Sequence, residues 1–425
     1  ASIKTATFTA ANGEGYFANT SGGAFTMNLP SGTAGAIVSV VDYTNTFQTN
    51  ALTISPNGSQ KIGGTNATTA LSTEGQSVTL VYVDDTEGWK NIQDSTSNVV
   101  GEAFVTATGG TITTCGNFKI HTFTGPGTFC VSALATDTPN NVVDYLVVGG
   151  GGSGGVRAPG NANAGAGGGG MRYSRTTYTS PSCAPAHPRG ATTGITVTAS
   201  AFPITVGAGG AAVAPQNPGS KGNDGAVSTF STITSAGGGK GGAGGGGVEP
   251  GGNGGSGGGS GGGVPGGSPG GTGNTPPVSP SQGSDGGRGG QTSPDQAAGG
   301  GGGMMAPGID ATPGGSGQGE GGAGGGIPTA FGSNGTPVGD FRFFSAGGGA
   351  GNSPDYSTGA AAGTGGTGFG AGTPAPLGNP SPTSAAKAGA ANTGHGGGGA
   401  GSGAGHPFPS GGGGSGIVVI RYKFQ

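Results

Sequence analysis

The chain has 425 residues, of which 110 are glycine and 29 proline, together about a third, a composition whose default reading is disorder. Charged residues are 8% and the net charge is −3, so neither nucleic acid nor a membrane surface is suggested as a partner. The charge is unevenly placed: residues 1–148 carry 4 basic and 10 acidic side chains, whereas 149–416 carry 9 basic and 8 acidic. No run approaches the ~18 apolar residues of a membrane span. The opening ASIKTATFTA has no apolar h-region, so neither membrane insertion nor a retained signal peptide is expected.

Residues 1–93 read as an independent β-sandwich-like module. Apolar or alternating runs recur between turn signals, in IKTATFTA, AFTMNLP, AIVSVVDYT, NALTISPNG, QSVTLVYVDD and GWKNIQ. The expected core is Phe25, Leu29, Ile37, Val38, Val40, Leu52, Ile54, Val78, Leu80, Tyr82 and Trp89. Residues 94–103, DSTSNVVGEA, have linker composition, and a small second β region covers 104–148. Within it, TITTCGNFKIHTFTGPGTFCV reads as three strands turning at Gly116-Asn117 and Gly125-Pro126-Gly127. That register places Cys115 opposite Phe118 and Cys130 opposite His121 or Thr122, too poorly matched for a disulfide, which needs a Cα separation of ~4.4–6.8 Å. Cys115, Cys130 and Cys183 are expected to be free, buried thiols.

Residues 149–416 are the glycine-rich part. Collagen requires glycine at every third position, and SGGGSGGGVPGGSPGGTGN at 256–274 breaks that register. The ordered alternative is a slab of polyglycine II helices, extended and left-handed with three residues per turn. Such helices have no internal hydrogen bonds, so neighbouring segments must satisfy their backbone groups. Ordering glycine is entropically costly, and a dense lattice of hydrogen bonds, each contributing roughly 0.5–1.5 kcal/mol, is the compensation. Apolar strands bound the slab, VVDYLVV at 142–148 and a closing strand within 417–425, and they are placed in one sheet or close together. The fold class is therefore all-β throughout.

Side chains that could recognise a partner sit between the glycine runs, in loops on a rigid scaffold. The richest insertion, MRYSRTTYTSPSCAPAHPRG, holds Arg172, Tyr173, Arg175, Tyr178, His187 and Arg189, with no acidic residue between Val148 and Lys221. Arginine and tyrosine suit sugars and phosphates through stacking and bidentate hydrogen bonds, although the same arginines would also keep an uncharged surface soluble. Further candidates are Phe331, Phe341 and Phe343, with His406 and Phe408 in GHPFPS. For Phe341 and Phe343, in FRFF, packing of a strand onto the slab is the stronger reading, since apolar residues alternate there before a glycine run.

Catalytic signals are sparse. Asp84, Asp85 and Glu87 lack an EF-hand pattern, and His121, His187, His395 and His406 lack zinc-ligand spacing. Chance GxGxxG matches carry no weight without the surrounding strand, helix and acidic residue. The expectation is a non-enzymatic protein without metal or cofactor.

DYLVVGGGGSGG at 144–155, FPITVGAGG at 202–210, STFSTITSAGGGKGG at 228–242 and GGGGSGIVVIRYKF at 411–424 resemble the glycine-rich domain of tail-fibre proteins of marine tailed bacteriophages. GQSVTLVYVDDTEGWKNIQDS and TATGGTITTCGNFKIHTFTGPGTFCV resemble modules that accompany it. In composition the chain is also similar to the distal adhesins of T-even-like phages, sandwiches of glycine helices with variable tip loops. The resemblance implies an extracellular virion protein that recognises a host surface glycan or outer-membrane protein through its loops. It also implies contacts with other virion tail proteins and a homo-oligomer, with a trimer the common case among phage fibres. Alternatives are a purely structural virion or extracellular-filament subunit, with those loops buried between subunits, and an ice-binding protein like that of the snow flea, which would need a flat regular face.

Overall fold

The computed structural model describes residues 3–96, 103–156, 162–174, 189–215, 219–245, 250–263, 267–290, 297–311, 319–351, 365–366, 386–403 and 406–425. The chain divides into two compact units, Ala1–Gly101 and Glu102–Gln425, and is all-β.

Alternating side chains build the N-terminal unit from β1 (Phe8–Thr9), β2 (Glu14–Ala18), β3 (Phe25–Asn28), β4 (Ile37–Asp42), β5 (Leu52–Ser55), β6 (Thr69–Leu71), β7 (Ser77–Tyr82) and β8 (Trp89–Ser95). These form two four-stranded sheets, β1-β3-β5-β6 and β2-β4-β7-β8. The first five strands alternate between the sheets, so β1, β3 and β5 run parallel, as do β2 and β4. Successive side chains on a strand face opposite ways, and Phe25, Met27, Val38, Val40, Leu52, Ile54, Val78 and Leu80 meet in one core with Trp89. The same alternation corrects the assignment of Ile37, which is 39% exposed because Val38 takes the inward position. Buried Asp42 fixes the neighbouring turns, its Oδ2 accepting the N–H groups of Phe47 at 3.0 Å and Gly75 at 3.2 Å.

The C-terminal unit contains β9 (Thr106–Thr108), β10 (Thr111–Cys115), β11 (Phe118–Phe123), β12 (Gly127–Ala133), β13 (Val142–Val148), β14 (Met171–Tyr173), β15 (Ile195–Thr196) and β16 (Ala201–Thr205). It continues with β17 (Ser228–Phe230), β18 (Ile233–Ser235), β19 (Gly325–Pro328), β20 (Thr336–Val338), β21 (Phe341–Phe344), β22 (Ser402–Gly403), β23 (His406–Pro407) and β24 (Ile417–Lys423). The strands that bound the glycine region, β13 and β24, lie side by side and antiparallel, with Val148 opposite Ile417. They are central in a sheet ordered β10-β11-β24-β13-β14. One face buries Tyr145, Val147, Val418, Ile420 and Tyr422 with Phe129, Ile204 and Phe230. The other buries Leu146, Val148, Ile417 and Val419 with Met171, Tyr173, Ile327, Phe331 and Phe344.

Two expectations about the cysteines are corrected. β11 pairs with β24, whereas β12 joins a different sheet between β9 and β16, so Cys130 stands opposite Thr108 and Ala201. Cys115 is opposite Phe118 but exposed, because both faces of β10 are open. Cys115 and Cys130 are free thiols; Cys183 lies outside the described residues.

The glycine segments form a three-dimensional hydrogen-bond lattice. From the first of them, Gly149, Gly152 and Gly155 donate to Gly170, Gly167 and Ala164. Gly150, Ser153 and Val156 donate to Ala226, Asn223 and Ser220, and Gly151 and Gly154 to Gly414 and Gly411. Each neighbour is met at every third residue, the signature of a helix with three residues per turn, and falling partner numbers make all three neighbours antiparallel. Carbonyls of the same segment accept from Gly238 and Gly241, from Gly397 and Ala400, and from Gly210. Glycine is needed here for proximity: a Cβ on Gly150 would lie 2.0 Å from the Ala208 carbonyl oxygen, and one on Gly151 2.1 Å from that of His395.

Because segments alternate in direction, the lattice has two unlike poles. Residues 149, 170, 226, 236, 394 and 416 end at the pole formed by the strands. The opposite pole holds residues 156 and 162, 213 and 220, 263 and 267, 290 and 297, 311 and 319, and 400 and 411. The C-terminal unit begins and ends with strands of the first pole, β9 and β24.

Candidate functional site

β14 is an edge strand, and its pairing with β13 sets what each side chain can do. Arg172 is opposite Val147, and Tyr173 opposite Leu146. Alternation sends Met171 and Tyr173 into the core with Leu146 and Phe331 and leaves Arg172 half-buried on the other face. Residues 189–191 continue that edge, with the Ala191 N–H donating to the Tyr173 carbonyl at 2.9 Å. Gly190 lies beneath the Tyr173 ring, where a Cβ would come within 2.6 Å.

Arg189 reaches inward from this segment. Its Nη1 donates to Ser284 Oγ at 3.1 Å and to the Met304 carbonyl, so it ties β14's edge to two turns of the lattice. Burial lowers its pKa from the ordinary value. Tyr145, Arg172, Tyr173, Arg189, Ala191 and Pro280 line one small open depression. Burial also raises the Tyr145 pKa, which the charge of Arg172 opposes and that of Asp144 reinforces.

Behind the depression is a buried ionic group that sequence reasoning did not find. Ser174 Oγ donates to Asp144 Oδ1 at 2.8 Å and accepts the Tyr145 N–H at 3.1 Å. Arg421 Nη1 lies 3.9 Å from Asp144 Oδ2, and its guanidinium stacks on Phe118 at 3.5 Å. Asp144 and Ser174 are 30 residues apart in sequence and Arg421 is far more distant, so only the β14-β13-β24 pairing brings them together.

The remaining sequence candidates separate. Phe331 and Phe343 are buried, at 5% and 3% exposure, and Phe341 is half-buried on β21; Phe331 shares the Tyr173 core. His406 lies on β23 at the pole opposite the strands, followed by half-buried Phe408. Arg175, Tyr178 and His187 lie outside the described residues. Of the candidates, the structure thus gathers Arg172, Tyr173 and Arg189 around one depression and places His406 and Phe408 far along the lattice from them.

Two histidines are internal fixtures. His395 Nδ1 accepts the Ala346 N–H at 3.0 Å, so Nε2 carries the proton and donates to Thr336 Oγ1 at 2.7 Å. Burial lowers its pKa to about 4. His121 Nδ1 donates to the Gly109 carbonyl at 2.8 Å, and its Nε2 accepts from the Tyr422 hydroxyl at 3.1 Å. Burial lowers the His121 pKa and pushes Tyr422 up to about 12. Among the described residues no three His, Cys, Asp or Glu side chains are grouped to hold a metal ion.

The N-terminal unit has a larger cleft, about 420 Å³, whose walls include Ile54, Leu71, Val78, Leu80 and Trp89. Polar groups at its rim are already engaged, Gln76 with Asp94 and Lys90 with Glu87.

No curated protein sequence matches the chain. The sequence pattern of a family described as a glycine-rich domain matches residues 122–423, from β11 through the whole lattice to the end of β24. By that match, over most of its length, the chain belongs to the glycine-rich domain family.

Proposed function

We propose that the chain is a receptor-binding adhesin of a tailed-bacteriophage tail fibre, acting outside the cell on a host surface glycan or outer-membrane protein. The observation that carries this reading is the lattice itself, whose segments bind one another by backbone hydrogen bonds at every third residue, so that the side-chain-bearing insertions between the glycine runs have a stiff support. A scaffold of this kind holds variable connections on a stiff support, which is where recognition is usually carried. In the N-terminal unit, Phe17 and Tyr43 are exposed and meet edge to face at 6.2 Å. An apolar pair on an outer sheet face supports a role for this unit in oligomerisation or in attachment to other tail proteins.

The test is binding of fluorescently labelled 102–425 and 1–101 to a panel of intact marine bacteria that includes a phage-susceptible strain. The reading expects binding by 102–425 alone and competition with phage adsorption. Binding by neither folded unit, with filaments formed by the full chain, would replace it with the structural-subunit reading.

A further inference from the structure

We propose that β10 is the pairing edge of a two-fold homodimer, in which it adds antiparallel to β10 of a second copy with Thr113 facing Thr113 of that copy. β10 ends the central sheet, and all five of its residues, Thr111–Cys115, are exposed, so neither face of the strand is covered. Its pairing with β11 runs through five residues without a bulge, and it carries no charge and no proline. Native proteins blunt such edges, because unpaired N–H and C=O groups are a template for another strand. The other described edges are blunted. Ala191 covers β14 by donating to the Tyr173 carbonyl, Lys4 covers the end of β2, which also carries Glu14, and β8 has a bulge opposite Thr79 and Leu80. β1, β6, β9, β15, β18, β20, β22 and β23 are two or three residues long, and β19 ends in Pro328.

Hydrogen-bond phase selects a second copy of the same strand. The two-residue turn at Gly116-Asn117 closes on the pair Cys115 and Phe118, and on the other side of β11 the Asn117 carbonyl accepts the Phe424 N–H at 3.0 Å. Alternation along an antiparallel ladder then turns the backbone groups of Thr111, Thr113 and Cys115 toward β11 and those of Ile112 and Thr114 outward. A half-turn about an axis beside Thr113, normal to the sheet, sets Ile112 opposite Thr114 of the second copy and Thr114 opposite Ile112 of that copy. Both outward residues are then hydrogen-bonded, and all five residues are paired. Ile112, 45% exposed in the single chain, gains a cross-strand neighbour, and threonine meets threonine at the dyad, a stabilising pair. An uncharged strand does not repel its copy, and symmetry supplies a match that another protein's strand would have only by chance. The contact uses the same patch on both copies, so it closes at two subunits.

The full chain, kept reduced, is followed by sedimentation velocity over a concentration series reaching about 1 mM, because five paired residues a side fall short of the roughly 800 Å² per partner of a standard interface and the dimer is weak. A reversible monomer–dimer equilibrium is expected. Thr113→Lys and Thr113→Glu, each alone, set like charges face to face at the dyad and should raise the Kd about tenfold or more. Their melting temperatures at micromolar concentration should be unchanged, since Thr113 is exposed. Mixing the two variants should restore dimers. In a chain with its three cysteines changed to serine, Thr113→Cys should form a disulfide dimer, because facing residues of a non-hydrogen-bonded pair have Cα atoms about 4.5 Å apart. Ile112→Cys, displaced from its own counterpart by two residues and so beyond about 7 Å, should not. A monomer at every concentration with no selective Thr113→Cys disulfide overturns the proposal. So does a dimer that both charged variants leave intact, which would move the contact to another surface such as the Phe17 and Tyr43 face. The adhesin reading is tested separately, since cell attachment by the Thr113 variants is scored apart from their sedimentation.

Discussion

Adjacent glycines in one lattice segment should respond oppositely to the same methyl group. A Cβ on Gly413 would lie 2.0 Å from the Gly151 carbonyl oxygen and 2.6 Å from that of Gly152. Carbon normally keeps its neighbours at about 3.5 Å, so Gly413→Ala must push the two helices apart by on the order of 1 Å. That stretches the bonds linking them, Gly151 N–H to Gly414 O at 2.9 Å and Gly154 N–H to Gly411 O at 3.0 Å. Two buried pairs weakened together cost about 2–5 kcal/mol, a fall in melting temperature on the order of 10 °C. At Gly412 the nearest atoms to an added Cβ are Ala212 N and Gly210 O, both at 3.4 Å, and the backbone is outside the left-handed region. Gly412→Ala should therefore be neutral or stabilising by about 0.4–1 kcal/mol, through a less flexible unfolded chain. Thermal unfolding of the two variants, followed by circular dichroism, decides the matter. Equal stability would refute the claim that close approach, and not glycine content, governs the lattice.

Other expectations concern buried polar groups and thiols. His395 has a folded pKa of about 4 against 6.5, so its contribution is complete above pH 6.5 and is lost as pH falls through 4. Roughly 3 kcal/mol is at stake, and denaturant titrations should show a shallower pH dependence in His395→Gln over that window. Asp42→Ala leaves the Phe47 and Gly75 N–H groups buried without an acceptor and should cost about 2–4 kcal/mol of N-terminal-unit stability by urea unfolding; Asp42→Asn, which keeps one oxygen, should lose less. In Cys183→Ser protein, exposed Cys115 should react with a thiol reagent before Cys130, and Cys115→Ser should abolish the fast phase.

Sequence periodicity carried the fold as far as local alternation reaches. Val38, Val40, Val78 and Leu80 were legible as core because every second position on those strands is apolar; Ile37 was misplaced because an apolar run does not reveal which phase faces inward. The GPG turn at 125–127 suggests a local hairpin, but β11 pairs instead with β24, some 300 residues away in sequence. Such pairings depend on which strands share a core, information that no local window contains. Glycine runs announce lattice helices without announcing their order, since one glycine segment is chemically like another. At the candidate site, Arg172 and Arg189 stood out as cations in an acid-free insertion. Tyr145, Asp144 and Arg421 did not, because their partnerships arise only from strand register. Phe331 looked like an exposed recognition residue and is core, whereas burial of Phe343 is what the preferred reading of FRFF, a strand packed on the slab, requires.

The pairing of β13 with β24 has a consequence for how such a chain can vary. Both boundaries of the glycine region are fixed at neighbouring positions of one sheet, so any path between them must make the outward journey as often as the return. Insertions and deletions that preserve the closure therefore come as round trips, one ascending and one descending helix at a time. A single added helix would strand the C-terminal segment at the wrong pole, while a paired addition would widen the slab and supply one more connection at its tip.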